Sequence, residues 1–234
     1  MEHTGQNPRD RAEDKIAHPV THWVFDLDNT LYPAHSRLFQ QVDRRMGEYV
    51  AGLLDLDFIE ARRLQKHYFR TFGTTICGLM KEHQADPTAF FDYVHDIDLT
   101  VLDPDPLLDR ALGRLKGDKT IFTNANRGHA ENVVERLGIA RHFDGIFDIL
   151  DAGYVPKPAP DTYDRFIARH NVTPGNAVLF EDTAANLKPA AAMGMTTVLI
   201  VPGEDGVAND AVADHIDHVT DDLTGWLTAQ GTGD

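Results

Sequence analysis

Short apolar runs with polar ends recur along this chain and set its framework. The first, His22-Trp23-Val24-Phe25-Asp26, is β-branched and aromatic and ends in acid. It reads as a buried strand that opens into a site. Lys119-Thr120-Ile121-Phe122, ending at Thr123, has the same design, as does Ala177-Val178-Leu179-Phe180, ending at Glu181 and Asp182. Thr196 to Val201 gives a further strand, and Gly145 to Ile149 a weaker one.

Helical patterns alternate with these runs. Asn126 is placed to cap a helix through Leu137, with Gly138 as its stop. Pro160 suits the first turn of a helix through Ala168. Thr183 to Gly194 is helical in composition, but Pro189 predicts a turn near Asn186 and a new helix starting at Pro189. Such alternation predicts an α/β fold, a Rossmann-like and mainly parallel sheet with helices on both faces. Ligands of such sheets sit beyond the carboxyl ends of the strands, where all these polar ends would meet.

Residues 33–103 break the alternation. Leu38, Val42, Met46, Tyr49, Val50 and Leu53 recur at helical spacing. Asp57 with Glu60 resembles a capping box ahead of Ala61, Leu64, Tyr68 and Phe72. Asp86-Pro87 opens another helix with Phe90, Phe91 and Val94. The stretch is too long for a loop and reads as a small inserted helical cap. The expected organisation is a loose tail over 1–18, a core built from 19–32 and 104–230, and the cap over 33–103. The closing Gly-Thr-Gly-Asp is expected to fray.

Composition narrows the class. At 234 residues, 42% hydrophobic and 25% charged, the chain suits one well-buried core plus a small accessory domain. No apolar run approaches the roughly 20 residues that span a bilayer, so no membrane partner is expected. Met1 to Ala17 is polar and lacks the apolar stretch of a secretory signal. The one cysteine, Cys77, excludes an internal disulfide and fits a cytoplasmic protein. It reads as a small buried hydrophobe rather than a nucleophile. The net charge is −15, and Lys and Arg form no stripe, which argues against a nucleic-acid partner. An anionic substrate would need positive charge inside the site, and a divalent cation can supply it. The twelve histidines are scattered and read as surface or capping residues, although His129 falls near the expected site.

The chemistry concentrates at Asp26-Leu27-Asp28-Asn29-Thr30. Carboxylates two residues apart point to the same side of an extended chain. Their repulsion calls for a cation or a proton between them. Taken alone, the other candidates stay open. Thr123 also suits a strand end or helix cap, Lys157 a solvated loop, and Glu181-Asp182 a helix start.

Together they carry a resemblance. Asp26-Leu27-Asp28-Asn29-Thr30-Leu31-Tyr32 resembles motif I of the haloacid dehalogenase superfamily. Thr123-Asn124 is similar to motif II, Lys157 within Val155-Pro156-Lys157-Pro158 to motif III, and Glu181-Asp182-Thr183 with Asn186 to motif IV. Order and spacing agree from about Thr21 to Val201. The resemblance implies that Asp26 attacks phosphorus and is transiently phosphorylated. It implies that Asp28 acts as general acid, then base. It implies Mg2+ held by Asp26, the Asp28 carbonyl and Asp182, with Glu181 direct or through water. Thr123, with the backbone N–H that follows, and Lys157 would grip the phosphate. Glu181 departs from the more usual Asp-Asp pair.

Within the superfamily, the second aspartate implies a phosphatase or phosphomutase rather than a dehalogenase. Leu31-Tyr32-Pro33, Tyr68 to Leu79 and Thr123 to Ala130 resemble the pyrimidine 5′-nucleotidase branch. That implies a small phosphorylated metabolite, a pyrimidine nucleotide such as UMP or CMP, contacted by Asn124, Tyr68 and Thr74. The alternatives are a phosphatase or mutase acting on phosphoglycolate or a sugar phosphate, or a non-catalytic binding protein on the same fold.

Overall fold

The computed structural model describes residue 16 and residues 18–202 and 213–231. Among the described residues, six strands form one sheet: β1 (His22–Phe25), β2 (Asp118–Phe122), β3 (Gly145–Phe147), β4 (Ala177–Glu181), β5 (Thr196–Ile200) and β6 (His218–Thr220). Their order is β3-β2-β1-β4-β5-β6, and every neighbouring pair is parallel. The chain leaves β1 to build one half of the sheet and returns to its other side to build the second. The switch point therefore lies at β1, where ligands of this fold class collect.

The strand sequences explain the layering. Trp23, Phe25, Ile121, Val178, Phe180 and Val198 face one side, against α5 (Pro106–Arg114), α6 (Arg127–Leu137) and α9 (Leu223–Gln230). Val24, Phe122, Leu179 and Leu199 face the other, against α7 (Pro160–His170) and α8 (Ala184–Ala192). Both faces are apolar, as parallel strands covered twice require. Phe25 and Phe180 stack across β1 and β4 with centroids 4.7 Å apart. Each such buried ring contributes on the order of 2 kcal/mol. Ile16, inside the expected tail, packs on this core and donates its N–H to Gln230 Oε1. The rest of that tail, apart from His18, and residues 232–234 lie outside the described residues.

Between β1 and β2 the chain forms α1 (Leu38–Leu54), α2 (Phe58–Phe72), α3 (Thr75–His83) and α4 (Pro87–Val94). They share their own apolar cluster, which includes Val50, Tyr68, Leu79, Phe90 and Phe91. Asp57 caps α2 by accepting from the N–H groups of Ile59 and Glu60. Gly73 ends that helix at φ +82, a conformation that costs other residues on the order of 1–2 kcal/mol. A Cβ there would also sit 2.7 Å from Pro156 Cγ, in the loop that carries Lys157. Gly73→Ala should therefore lower the melting temperature and reduce turnover together. An unchanged melting curve would show that this close approach is not made in solution.

One helix differs from its expectation. Pro189 lies inside α8 rather than at its start. The helix begins at Ala184, with Asn186 N–H donating to Thr183 O. Buried Leu187 and Ala190 hold it on the sheet, so packing outweighs the missing proline N–H.

Candidate active site

The polar ends of β1, β2 and β4 meet at one end of the sheet, beside the loop after β3. Asp26 follows β1 and is 7% exposed. Its N–H donates to Phe180 O, which locks it to β4. A tight turn then reverses the chain, with Leu31 N–H donating to Leu27 O and Asn29 at φ +60. The turn aims Thr30 Oγ1 at Asp26 Oδ2, 3.3 Å away, and Asn29 Nδ2 at Asp182 Oδ2, 3.3 Å away.

Lys157 is the centre of the arrangement. Its Nζ lies 2.7 Å from each of Asp26 Oδ1, Glu181 Oε2 and Phe122 O. The side chain is 1% exposed, which is rare for lysine unless it is paired. Asn124 sets its backbone: Lys157 N–H donates to Asn124 Oδ1, and Asn124 Nδ2 to Lys157 O. Thr123 is buried at the end of β2, and its hydroxyl accepts from Ala125 N–H.

Two carboxylates, Asp26 and Glu181, share this one ammonium, and Asp182 stands beside them. Burial, then the charge of Glu181, pushes Asp26 up to about 7 despite Lys157. Burial likewise raises Glu181 to about 7, and burial with the charge of Asp26 raises Asp182 to about 6. Burial alone would lower the Lys157 ammonium, but Asp26 and Glu181 outweigh it and hold it charged. One oxygen each of Asp26, Glu181 and Asp182 lies within 4.8 Å of the others. Hard oxygen donors this close, with surplus negative charge, fit a divalent cation. Both oxygens of Glu181 are already engaged, one by Lys157 and the other by Asn186 Nδ2 and Thr183 N–H. The oxygens of Asp26 are likewise engaged by Lys157 and Thr30, and those of Asp182 by Asn29 and Thr183, so all three carboxylates remain candidate donors.

Asp28 is held separately. Its Oδ1 accepts from Tyr32 Oη at 2.5 Å and pairs with His129 Nε2 at 2.9 Å. Burial would raise its carboxyl, but His129, Tyr32 and His95 together bring it below the ordinary value. His129 is thus neither a surface nor a plain capping residue: it is 2% exposed and faces the acid–base candidate. His22 also departs from that expectation, buried in β1 with Nε2 2.9 Å from Thr120 Oγ1.

A cavity of about 480 Å³ joins the polar floor to the helical insert, a volume suited to a small metabolite. Asp26, Asp28, Thr123, Asn124, Lys157 and Asp182 line its floor. Phe39, Met46, Phe69, Phe90 and Phe91 line the insert side, with Lys66 and Arg70 beside them. Thr74 also lines it, while its hydroxyl caps α3 by accepting from Cys77 N–H. Tyr68 is not a lining residue. It is buried within the insert, its Oη 2.6 Å from His83 Nε2, and Gly78 packs directly on its ring. Cys77 is half-buried, its thiol raised by burial and directed at Tyr154 O.

The chain is 30% identical over 193 residues to phosphate metabolism protein 8 of Saccharomyces cerevisiae, covering 76% of this chain and 60% of the yeast protein. It is 25% identical over 190 residues to the fructose-1-phosphate phosphatase YqaB of Escherichia coli, covering 75% of this chain and 93% of that one. Among solved structures, the magnesium-bound HAD-hydrolase YfnB of Bacillus subtilis superposes with a TM-score of 0.60 at 14% identity, covering 91% of this chain and 99% of that one. L-2-haloacid dehalogenase of Xanthobacter autotrophicus gives 0.55 at 20% identity, with coverages of 89% and 97%. These two structures share the fold. The family described as haloacid dehalogenase-like hydrolase matches residues 20–194, and the chain belongs to it.

Proposed function

We propose that this chain is a magnesium-dependent phosphatase of small phosphomonoesters, with pyrimidine nucleoside 5′-monophosphates as its substrate class. The observation that carries the reading is the division of labour between the two aspartates. Asp26 is tied to Lys157 at the strand end, while Asp28 is held apart by Tyr32 and His129. A displacement of alkoxide from phosphorus needs both a nucleophile and a proton source. A halide leaving group needs no proton, so the second aspartate favours phosphate-ester chemistry.

The steps balance on these residues. A carboxylate oxygen of Asp26 attacks phosphorus, the ester P–O bond breaks, and Asp28 relays to the departing oxygen a proton that it takes up from a substrate bound as the phosphate monoanion, its own carboxyl being ionised beforehand. Water then attacks the aspartyl-phosphate, Asp28 takes the water proton, and inorganic phosphate leaves as Asp26 is restored. Lys157 and Thr123, with the backbone N–H after it, hold the phosphate oxygens, and Glu181 keeps Lys157 charged and aimed. Asp26, Asp182 and the Asp28 carbonyl would hold magnesium, which supplies positive charge to the transferring phosphoryl group. The helical insert acts as a cap that excludes bulk water.

The aromatic insert face favours a flat base over a bare sugar, and Thr74 and Arg70 offer polar contacts at its edge. A phosphate-release screen over nucleotides and sugar phosphates, with and without magnesium, tests the reading. UMP and CMP should lead in kcat/KM. Preference for a hexose phosphate or phosphoglycolate would overturn the nucleotide assignment and keep the phosphatase. An isomerised sugar phosphate without free phosphate would make it a mutase.

The raised carboxyls make metal binding pH-dependent. Protons held by Asp26 and Asp182 near neutrality must leave before a cation binds. Magnesium affinity should therefore rise between about pH 6 and about pH 8, with proton release seen by calorimetry in buffers of differing ionisation enthalpy. Affinity independent of pH would remove these carboxylates as the ligands.

A further inference from the structure

The geometry points to His129 as a positioning residue for Asp28, completed by His95, which the helical insert lays against it. This rests on the acid–base role given to Asp28 above. His129 lies in the first turn of α6, where Asn126 Oδ1 accepts its N–H and fixes the start of the helix. From there its ring reaches Asp28, 101 residues away in sequence.

Asp28 Oδ1 takes both fixed donors, Tyr32 Oη and His129 Nε2. Among the described residues, Oδ2 has no hydrogen-bond partner. One oxygen is thus an anchor, and the other is free to exchange a proton with the reacting group in the cavity that Asp28 lines. Two donors on one oxygen remove the rotation that would carry Oδ2 away from the leaving oxygen. Misplacement of such a group by as little as an ångström is costly to rate.

His95 follows α4 and belongs to the insert. Its ring stacks on His129 with centroids 4.2 Å apart and planes 14° apart, and Phe91 also stacks on it at 5.5 Å. His95 Nδ1 lies 2.8 Å from Asn126 Oδ1, the same oxygen that caps His129. The amide oxygen can only accept, so His95 donates. The insert therefore touches the acid–base machinery at one ring. With the insert seated, His129 is packed on its open face. With it displaced, that face is bare and the ring can turn. Proton transfer is thereby coupled to closure over a substrate.

The test compares phenyl phosphate with 4-nitrophenyl phosphate, which differ mainly in how much the leaving oxygen needs a proton. His129→Leu should lower kcat/KM, which reports the steps through loss of the leaving group, for phenyl phosphate by about 10–100-fold, the range for losing a supporting partner of a reactive group. It should lower kcat/KM for 4-nitrophenyl phosphate far less. His129→Gln, which keeps an N–H donor, should restore part of the phenyl phosphate rate. His95→Leu should show the same selectivity at smaller amplitude. Equal losses on both substrates would overturn the positioning role of His129 and make it structural. A raised KM without selectivity in His95→Leu would overturn its part. If His129→Leu does not fold, the Gln and His95 variants still decide. Asp28→Asn is the control for the underlying reading: if it lacks the leaving-group selectivity, the acid–base role itself fails, whereas selectivity there without selectivity at His129 rejects only the inference.

Discussion

Asp26→Asn should eliminate turnover and leave no covalent phosphate on the protein. The amide is a far weaker nucleophile, and it also loses the charge that draws Lys157 and a cation to the strand end. Asp28→Asn should behave differently. Its backbone is intact, so substrate should still bind. Losing acid–base help costs on the order of 10²–10⁴ in rate. The loss in kcat/KM, which reports formation of the aspartyl-phosphate, should be smallest for an activated aryl phosphate, whose phenolate leaves without a proton. Hydrolysis of the aspartyl-phosphate also needs Asp28, so phosphate should accumulate on Asp26 in this variant. Acid-quench mass spectrometry can locate it. Phosphate on a serine, threonine or histidine, or near-normal turnover in Asp26→Asn, would end the nucleophile assignment.

The floor of the site is legible in the sequence because each piece follows a recognisable strand. Asp26, Thr123 and Glu181 stand at the ends of apolar runs, and parallel pairing of β1 with β2 and β4 brings those ends together. β6 is not legible. His218–Thr220 is three residues long, carries a single aliphatic side chain and lies at the sheet edge, so it lacks the apolar run that marks its neighbours. Pro189 misleads because propensity is local, whereas the burial of Leu187 and Ala190 against the sheet is not.

The partners of Asp26 and Asp28 are the least legible. Glu181 reads in sequence as a metal-ligand candidate, and in space it joins Asp26 and Asp182 in one acidic cluster; its pairing with Lys157 is what the sequence does not show. His129 and Asp28 are joined only by the fold. Tyr32 is different. It lies four residues after Asp28 on a tight turn, a spacing that could have pointed to their contact. Tyr68 reads as a cavity residue by its neighbours in sequence, but helical periodicity already placed it on the buried stripe of α2, where it is found.

Lys157→Met should destabilise the protein strongly and in a pH-dependent way. The ammonium is the shared partner of two buried carboxylates, Asp26 and Glu181. Removing one partner of a buried ion pair typically costs about 3–5 kcal/mol, because the charge left behind has lost its compensation. Here that charge can escape by taking up a proton. Asp26 and Glu181 are already raised to about 7 with the lysine present, and without it both should move higher. The folded state then holds protons that the unfolded state releases near its ordinary carboxyl values. Stability therefore falls as pH rises from the unfolded carboxyl values to the raised folded ones, and is highest below the unfolded values. Melting temperatures in excess chelator should show a much steeper decline from about pH 6 to about pH 9 in Lys157→Met than in the parent. Turnover should be lost at every pH, since the positive charge on the phosphate is gone. Lys157→Met combined with Glu181→Gln should recover part of the stability at high pH and none of the activity. Contacting residues couple in this way because the second change removes a charge that the first exposed. A loss of stability that is flat with pH, or a double variant no more stable than the single one, would show that Lys157 does not hold these two carboxylates as the geometry places them.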